Sequence, residues 1–152
     1  MKEERIRETV KLQFEMIHLF HKNFAKAFHK TGSDSYSLNK NQNKAIMIIG
    51  EAGEIMPTTL GKCLDLQKGS LTSMIDALER EGLVYRRGDP GDRRKILVSL
   101  TEEGKNYRDW IKEKLEENCS EVLSRLVEED VAAYQESLKT MLDTLKKLDG
   151  ST

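Results

Sequence analysis

The sequence predicts a mainly α-helical chain interrupted by one small β-hairpin, and three observations carry that expectation. Apolar residues recur every three or four positions through most of the chain, the period of an amphipathic helix. Between residues 83 and 100 the rhythm switches to β-branched and aromatic runs around a turn-rich stretch. Capping residues, prolines and glycines fall where the helical pattern starts and stops. The 152 residues suit one compact domain, or a small one with long helical extensions. That length leaves no room for a catalytic α/β domain beside a binding module.

Taken in order, the first helix is expected over roughly 2–30. Ile6, Val10, Phe14, Ile17, Phe20, Phe24 and Phe28 form one stripe that holds all four phenylalanines of the chain. Thr31 to Ser35 has loop chemistry. Asn39 then caps a second helix, with Gln42 three residues on as in a capping box. Ala45, Ile46, Ile48 and Ile49 give it an apolar side, and it ends before Gly53. Pro57 suits the first turn of a short third helix, where its missing N–H costs nothing. Leu60, Cys63 and Leu64 are expected to face inward there. After a tight connection, Asp65-Leu66-Gln67, a fourth helix runs from about Lys68 to Glu81 with Leu71, Ile75 and Leu78 inside and Gly82 as its stop. Two short helices joined this closely make a helix-turn-helix.

Leu83–Arg87 and Lys95–Leu100 then read as strands flanking Gly88-Asp89-Pro90-Gly91-Asp92, a hairpin with a basic tip and basic shoulders. Thr101 caps the next helix, and Glu102 and Glu103 in its first turn suit the positive end of the helix dipole. Tyr107, Ile111, Leu115, Val122 and Leu126 carry its apolar line. The last helix has the cleanest pattern: Val131, Tyr134, Leu138, Met141, Leu145 and Leu148 alternate by three and four, as in a heptad. The chain has no internal repeat.

Net charge is −1, which looks poor for a nucleic-acid binder until its distribution is read. Residues 1–55 hold nine bases and seven acids, residues 56–100 hold eight and six, and residues 101–152 hold eight and thirteen. Arg86 to Lys95 alone supplies five bases against Asp89 and Asp92. The positive charge is local to the hairpin. A major groove admits one α-helix, and the fourth helix offers Lys68, Gly69, Ser70, Thr72, Ser73 and Asp76 on its outer side. Short side chains near its start let the backbone approach phosphate. Arg93 and Arg94 sit on the hairpin loop, where arginine suits a narrow minor groove. A hairpin of this charge one step after a helix-turn-helix reads as a wing, and the pair points to double-stranded DNA.

The run from Leu60 to Gly104, LGKCLDLQKGSLTSMIDALEREGLVYRRGDPGDRRKILVSLTEEG, resembles the core of the MarR (multiple antibiotic resistance regulator) family. The most specific part is GLVYRRGDPGDRRKILVSLTEEG. There the D-x-R wing pattern stands as Asp92-Arg93-Arg94, ahead of the L-T-E-x-G helix start. Leu38 to Gln42 is similar to the start of the family's second helix. The resemblance implies a winged helix-turn-helix region over 36–101, with helical dimerisation regions over 1–35 and 102–152. It implies a homodimer whose first and last helices interleave, with Val131, Leu138, Met141, Leu145 and Leu148 at the interface. Recognition helices would then enter successive major grooves of a pseudo-palindromic operator. On the same resemblance Lys68, Ser70, Thr72 and Ser73 are the helix contacts, and Arg94 with Arg93 the wing contact. Many members carry arginine where this chain has Ser73.

The implied role is a ligand-responsive transcriptional repressor. Its effector cavity is expected between the first helix, the second helix and the helix that begins near Glu102, with Phe14, Ile17, His21 and Phe24 as wall residues. The alternative is a winged-helix module that binds protein rather than a specific DNA. No cofactor, metal or membrane partner is expected. His18, His21 and His29 have no clustered Cys or His elsewhere to complete a site, and Cys63 and Cys119 are too far apart in sequence to suggest a disulfide or zinc framework. Redox-sensing relatives use a cysteine in the first helix, where this chain has Phe14 and Met16. No nucleophile elbow, phosphate loop or HExxH is present, so an enzyme is not expected. The N-terminal residues mix acids with bases and contain no apolar run, which fits neither a signal peptide nor a membrane helix and points to the cytoplasm.

Overall fold

The computed structural model describes residues 1–29, with the side chain of His29 excepted, and residues 36–150. The expected loop at Thr31 to Ser35 lies outside the described residues. The elements run α1 (Lys2–His29), α2 (Lys40–Ala52), β1 (Glu54–Ile55), α3 (Pro57–Leu64), α4 (Lys68–Arg80), β2 (Val84–Gly88), β3 (Ile96–Leu100), α5 (Glu102–Leu123) and α6 (Glu128–Lys146). They fall into two compact units, Phe28–Glu116 and a helical unit made of Met1–Ala27 with the chain from Glu117 onward. The division comes inside α5, later than the expected boundary at residue 101. No helix among the described residues is long and apolar enough to cross a membrane.

The larger unit holds the core. Ala45, Ile46 and Ile49 of α2 meet Leu60 of α3, Leu71, Met74, Ile75 and Leu78 of α4, and Val84, Val98 and Leu100 of the sheet. Tyr107 and Ile111 of α5 complete the cluster. The Tyr107 hydroxyl donates to Asn43 Oδ1 at 2.8 Å, and burial raises its pKa, which keeps the donor protonated. Asn39 caps α2 in a full capping box: its side chain accepts from Gln42 N, and Gln42 returns the bond to the Asn39 amide.

The sheet has three antiparallel strands in the order β1-β3-β2. The hairpin strands begin one residue later than expected, at Val84 and Ile96. β1 has only two residues, too short for a period to register, and was not expected. α4 ends at Arg80, and Gly82 at φ +74 releases the chain into the hairpin.

Cys63 is a correction. It is exposed, and the inner side of α3 is formed by Leu60 and Gly61 with Leu64 half-buried. At 100° per residue those three span one side of the helix, and Cys63 falls beyond its edge. Gly61 permits the close approach: a Cβ there would stand 3.0 Å from Leu71 Cδ2. The turn to α4 places Asp65 in the left-handed region, φ 52 and ψ 47, with Leu66 N bonded back to Gly61 O at 2.9 Å. Aspartate is among the few non-glycine residues that tolerate this conformation.

In the helical unit, α1 is exposed from its start to Asn23. Its apolar residues include Ile6, Val10, Phe14 and Ile17, each more than 40% exposed. Phe24 stacks on Phe20 and on Tyr134 of α6, at centroid distances of 5.4 and 6.1 Å.

Candidate nucleic-acid interface

Every residue of the expected DNA surface is solvent-exposed: Lys68, Ser70, Thr72 and Ser73 on α4, and Arg93 and Arg94 in the hairpin loop. The first turn of α4 contains no acid, and the Gln67 side chain makes no capping bond. The amides of that turn therefore keep their affinity for an anion. The Thr72 hydroxyl donates to Lys68 O at 2.8 Å, so what it offers outward is an acceptor.

The hairpin tip is ordered by its aspartates. Asp89 Oδ1 accepts from Gly91 N at 2.8 Å, and Asp92 Oδ1 accepts from Arg94 N at 3.1 Å. Main-chain bonds Asp89 N–Lys95 O and Lys95 N–Asp92 O close the loop. Both carboxylates thus serve the backbone, and among the described residues the side chains of Arg93, Arg94 and Lys68 have no ion-pair partner. The aspartate of the D-x-R pattern sets the main chain at Arg94 and leaves its guanidinium free for another anion.

The shoulder arginines behave differently. Arg86 donates through Nη2 to Asp76 Oδ1 at 2.5 Å and through Nη1 to Glu79 Oε1 at 3.3 Å, and its amide reaches Glu79 Oε2 at 3.2 Å. Arg87 pairs with Glu54 of β1. The expected basic shoulders are therefore neutralised within the protein. Asp76, read as an outward helix residue, is the anchor that ties α4 to β2. Sequence reasoning missed this clamp because its partners stand ten and seven residues apart across a helix–strand junction, a spacing with no period of its own.

The LTEEG segment explains how the wing is joined to α5. Thr101 Oγ1 accepts from Gly104 N at 3.0 Å, capping the helix, and donates to Gly82 O at 2.6 Å. Thr101 N donates to Leu83 O at 3.0 Å. Gly104 is needed because a Cβ there would lie 2.0 Å from that same Leu83 carbonyl.

The family model for the MarR family matches residues 38–96. The chain is 33% identical over 105 residues to the HTH-type transcriptional regulator YcgE of Bacillus subtilis (strain 168), covering 68% of each. The chain belongs to the MarR family. It is a winged-helix transcriptional regulator. The organic hydroperoxide resistance transcriptional regulator of the same organism is 31% identical over 114 residues, 74% of this chain and 75% of that protein. Among solved structures, MarR from E.coli in its apo form superposes with a TM-score of 0.71 at 28% identity, covering 84% of this chain and 95% of that one. A mutant MarR from E.coli complexed with operator DNA gives 0.63 at 27% identity, over 89% of this chain and 96% of that one.

The remaining expected sites fall in the helical unit. Ile17, His21 and Phe24 line a groove of about 800 Å³, and its other wall is Tyr134, Ser137, Leu138 and Met141 of α6. Phe14 is 71% exposed and is not among its lining residues. The stripe on α1 gave one wall but could not say which helix faced it. On α6, Val131, Leu138 and Met141 are half-buried and Leu145 is exposed, while Leu148, expected on the same helix, lies beyond its end at Lys146 and is exposed. Among the described residues no group of three or more His, Cys, Asp or Glu is placed to hold a metal.

Proposed function

We propose that the protein is a homodimeric repressor that binds a pseudo-palindromic operator in double-stranded DNA and releases it when a small-molecule effector binds. The observation that carries this reading is the unpaired state of Lys68, Arg93 and Arg94 on a frame in which Arg86 fastens the wing to α4. Recognition helix and wing then meet DNA as one body, with α4 in the major groove and the arginines in the adjacent minor groove. Ser70, Thr72 and Ser73 supply close, short contacts, and Ser73 reads the bases less strongly than an arginine would. That a similar protein, a mutant MarR from E.coli, is complexed with operator DNA supports the DNA-binding reading.

The dimer reading rests on the apolar residues of α1 and α6 that stand exposed on the single chain, a face of the kind that marks an interaction surface. A second copy covers it in this proposal, with Val131, Leu138, Met141, Leu145 and Leu148 in the joint. An effector seated against Ile17, His21 and Phe24 shifts the population toward dimers whose recognition helices no longer match the operator spacing. The role needs no catalytic step and is exercised in the cytoplasm.

Sedimentation of the protein with a duplex spanning its own upstream region tests the assembly. Two protomers per duplex are expected. A saturated complex of one protomer per duplex, or no complex, contradicts the proposal.

A further inference from the structure

The sheet at the base of the wing has a second face, turned away from the core. Residues opposite one another in register share a face, and Glu54, Ser99 and Tyr85 form one such row across β1, β3 and β2. Glu54 and Tyr85 are exposed, whereas Ser99 is only 5% exposed. Its hydroxyl is shut off from solvent and has no hydrogen-bond partner. The same holds for Nε of Arg108 on α5, whose guanidinium is engaged through Nη2, donating to Glu51 at 3.0 Å. Both residues line one recess of about 390 Å³, with Gly50 at the end of α2, Leu100 and Lys105 around them.

The recess is shaped around the arginine. A Cβ at Gly50 would stand 2.2 Å from Arg108 Cδ and 2.5 Å from Nε, so the guanidinium occupies the space that a missing side chain leaves. The carboxylates paired around the recess are engaged, Glu51 with Arg108, Glu54 with Arg87 and Glu102 with Lys105. A buried donor without a partner is costly, so two in one recess mark a place where something else supplies the acceptor. Arg108 and Lys105 can only donate, and Ser99 can do so. The complement is an acceptor-rich anion. The volume is many times the roughly 30 Å³ share of one water, and Tyr85, which shares the face of Ser99, offers an aromatic wall.

We propose that this recess binds a small organic carboxylate, whose oxygens accept from Arg108 Nε–H and Ser99 Oγ–H while its apolar part rests on Tyr85. The site joins α2, the sheet and α5 and uses none of the residues assigned to DNA. Its occupant would tie the base of the wing to α5.

Butyrate is the probe and inorganic phosphate the comparator, each titrated into the full chain while the arginine Nε–H resonances are followed by NMR. The Arg108 signal, assigned by its loss in Arg108→Lys, should shift saturably with butyrate. Ser99→Ala should weaken butyrate about tenfold, the effect of losing one hydrogen bond to a charged group. That variant should keep or raise the Tm of the free protein, because the hydroxyl it removes has no protein partner. Gly50→Ala should displace the guanidinium and abolish the shift. No saturable shift with butyrate, a shift indifferent to Ser99→Ala, or a response to phosphate alone would each overturn the proposal.

Discussion

Gly104 shows how one residue type can be dictated by a neighbour far from it in kind. The start of α5 runs so close to the Leu83 carbonyl that a methyl group cannot be placed between them. Gly104→Ala should destabilise the protein by at least about 2 kcal/mol, the usual scale of overpacking, and thermal unfolding would register it as a clear drop in Tm. The motif was legible in the sequence, but its reason was not, since the carbonyl it accommodates belongs to another element. Cysteine chemistry is equally local. Cys119 is half-buried, and burial raises its thiol pKa. A smaller share of the Cys119 thiol is therefore ionised at a given pH than burial-free cysteine would show, while Cys63 is open to solvent. A disulfide reagent added to native protein near pH 8 should label Cys63 first, and Cys119 should catch up as pH rises. Equal rates for the two thiols would contradict that placement.

Elements were read from sequence with success where a period or a cap spoke, and missed where neither did. The capping box of α2 is an example of the first kind. Asn39→Ala should lower stability by about 1 kcal/mol, measurable as a shift of the denaturation midpoint at unchanged slope. β1 is an example of the second, because two residues cannot display an alternation. α3 lies between these cases: eight residues fix the side that Leu60 occupies but leave the edge of that side uncertain, and Cys63 fell across it. The wing divides likewise. Its strands and turn followed from β-branched residues around Pro90 and Gly91, yet the sorting of its arginines did not. Arg86 and Arg87 are bound to acids on α4 and β1, and Arg93 and Arg94 are not, a distinction that only the folded chain makes.

At the scale of the whole molecule, the near-neutral net charge conceals a division of labour. The C-terminal third carries the acidic excess, and among the described residues the bases without an ion-pair partner include Lys68 at the start of α4 and Arg93 and Arg94 at the tip of the wing. The apolar face of α1 and α6 has no such resolution within one chain. Leu145 and Leu148 are 44% and 81% exposed, so Leu145→Asp with Leu148→Asp should leave the folded protomer intact by circular dichroism while shifting sedimentation from dimer to monomer. A dimer of undiminished stability would remove these residues from the proposed joint. The groove shows the same limit of sequence reading: a stripe reveals that a helix side is covered, never by what.

The most direct test of the central claim is the salt dependence of binding to the upstream duplex, followed by fluorescence anisotropy. Each phosphate contact adds about 0.9 to the slope of log K against log salt. With two arginines on each of two wings, Arg93→Ala with Arg94→Ala should flatten that slope by about three to four, whereas Arg86→Gln should weaken binding with the slope nearly intact. A slope unchanged by loss of Arg93 and Arg94 would contradict the assignment of the wing to DNA.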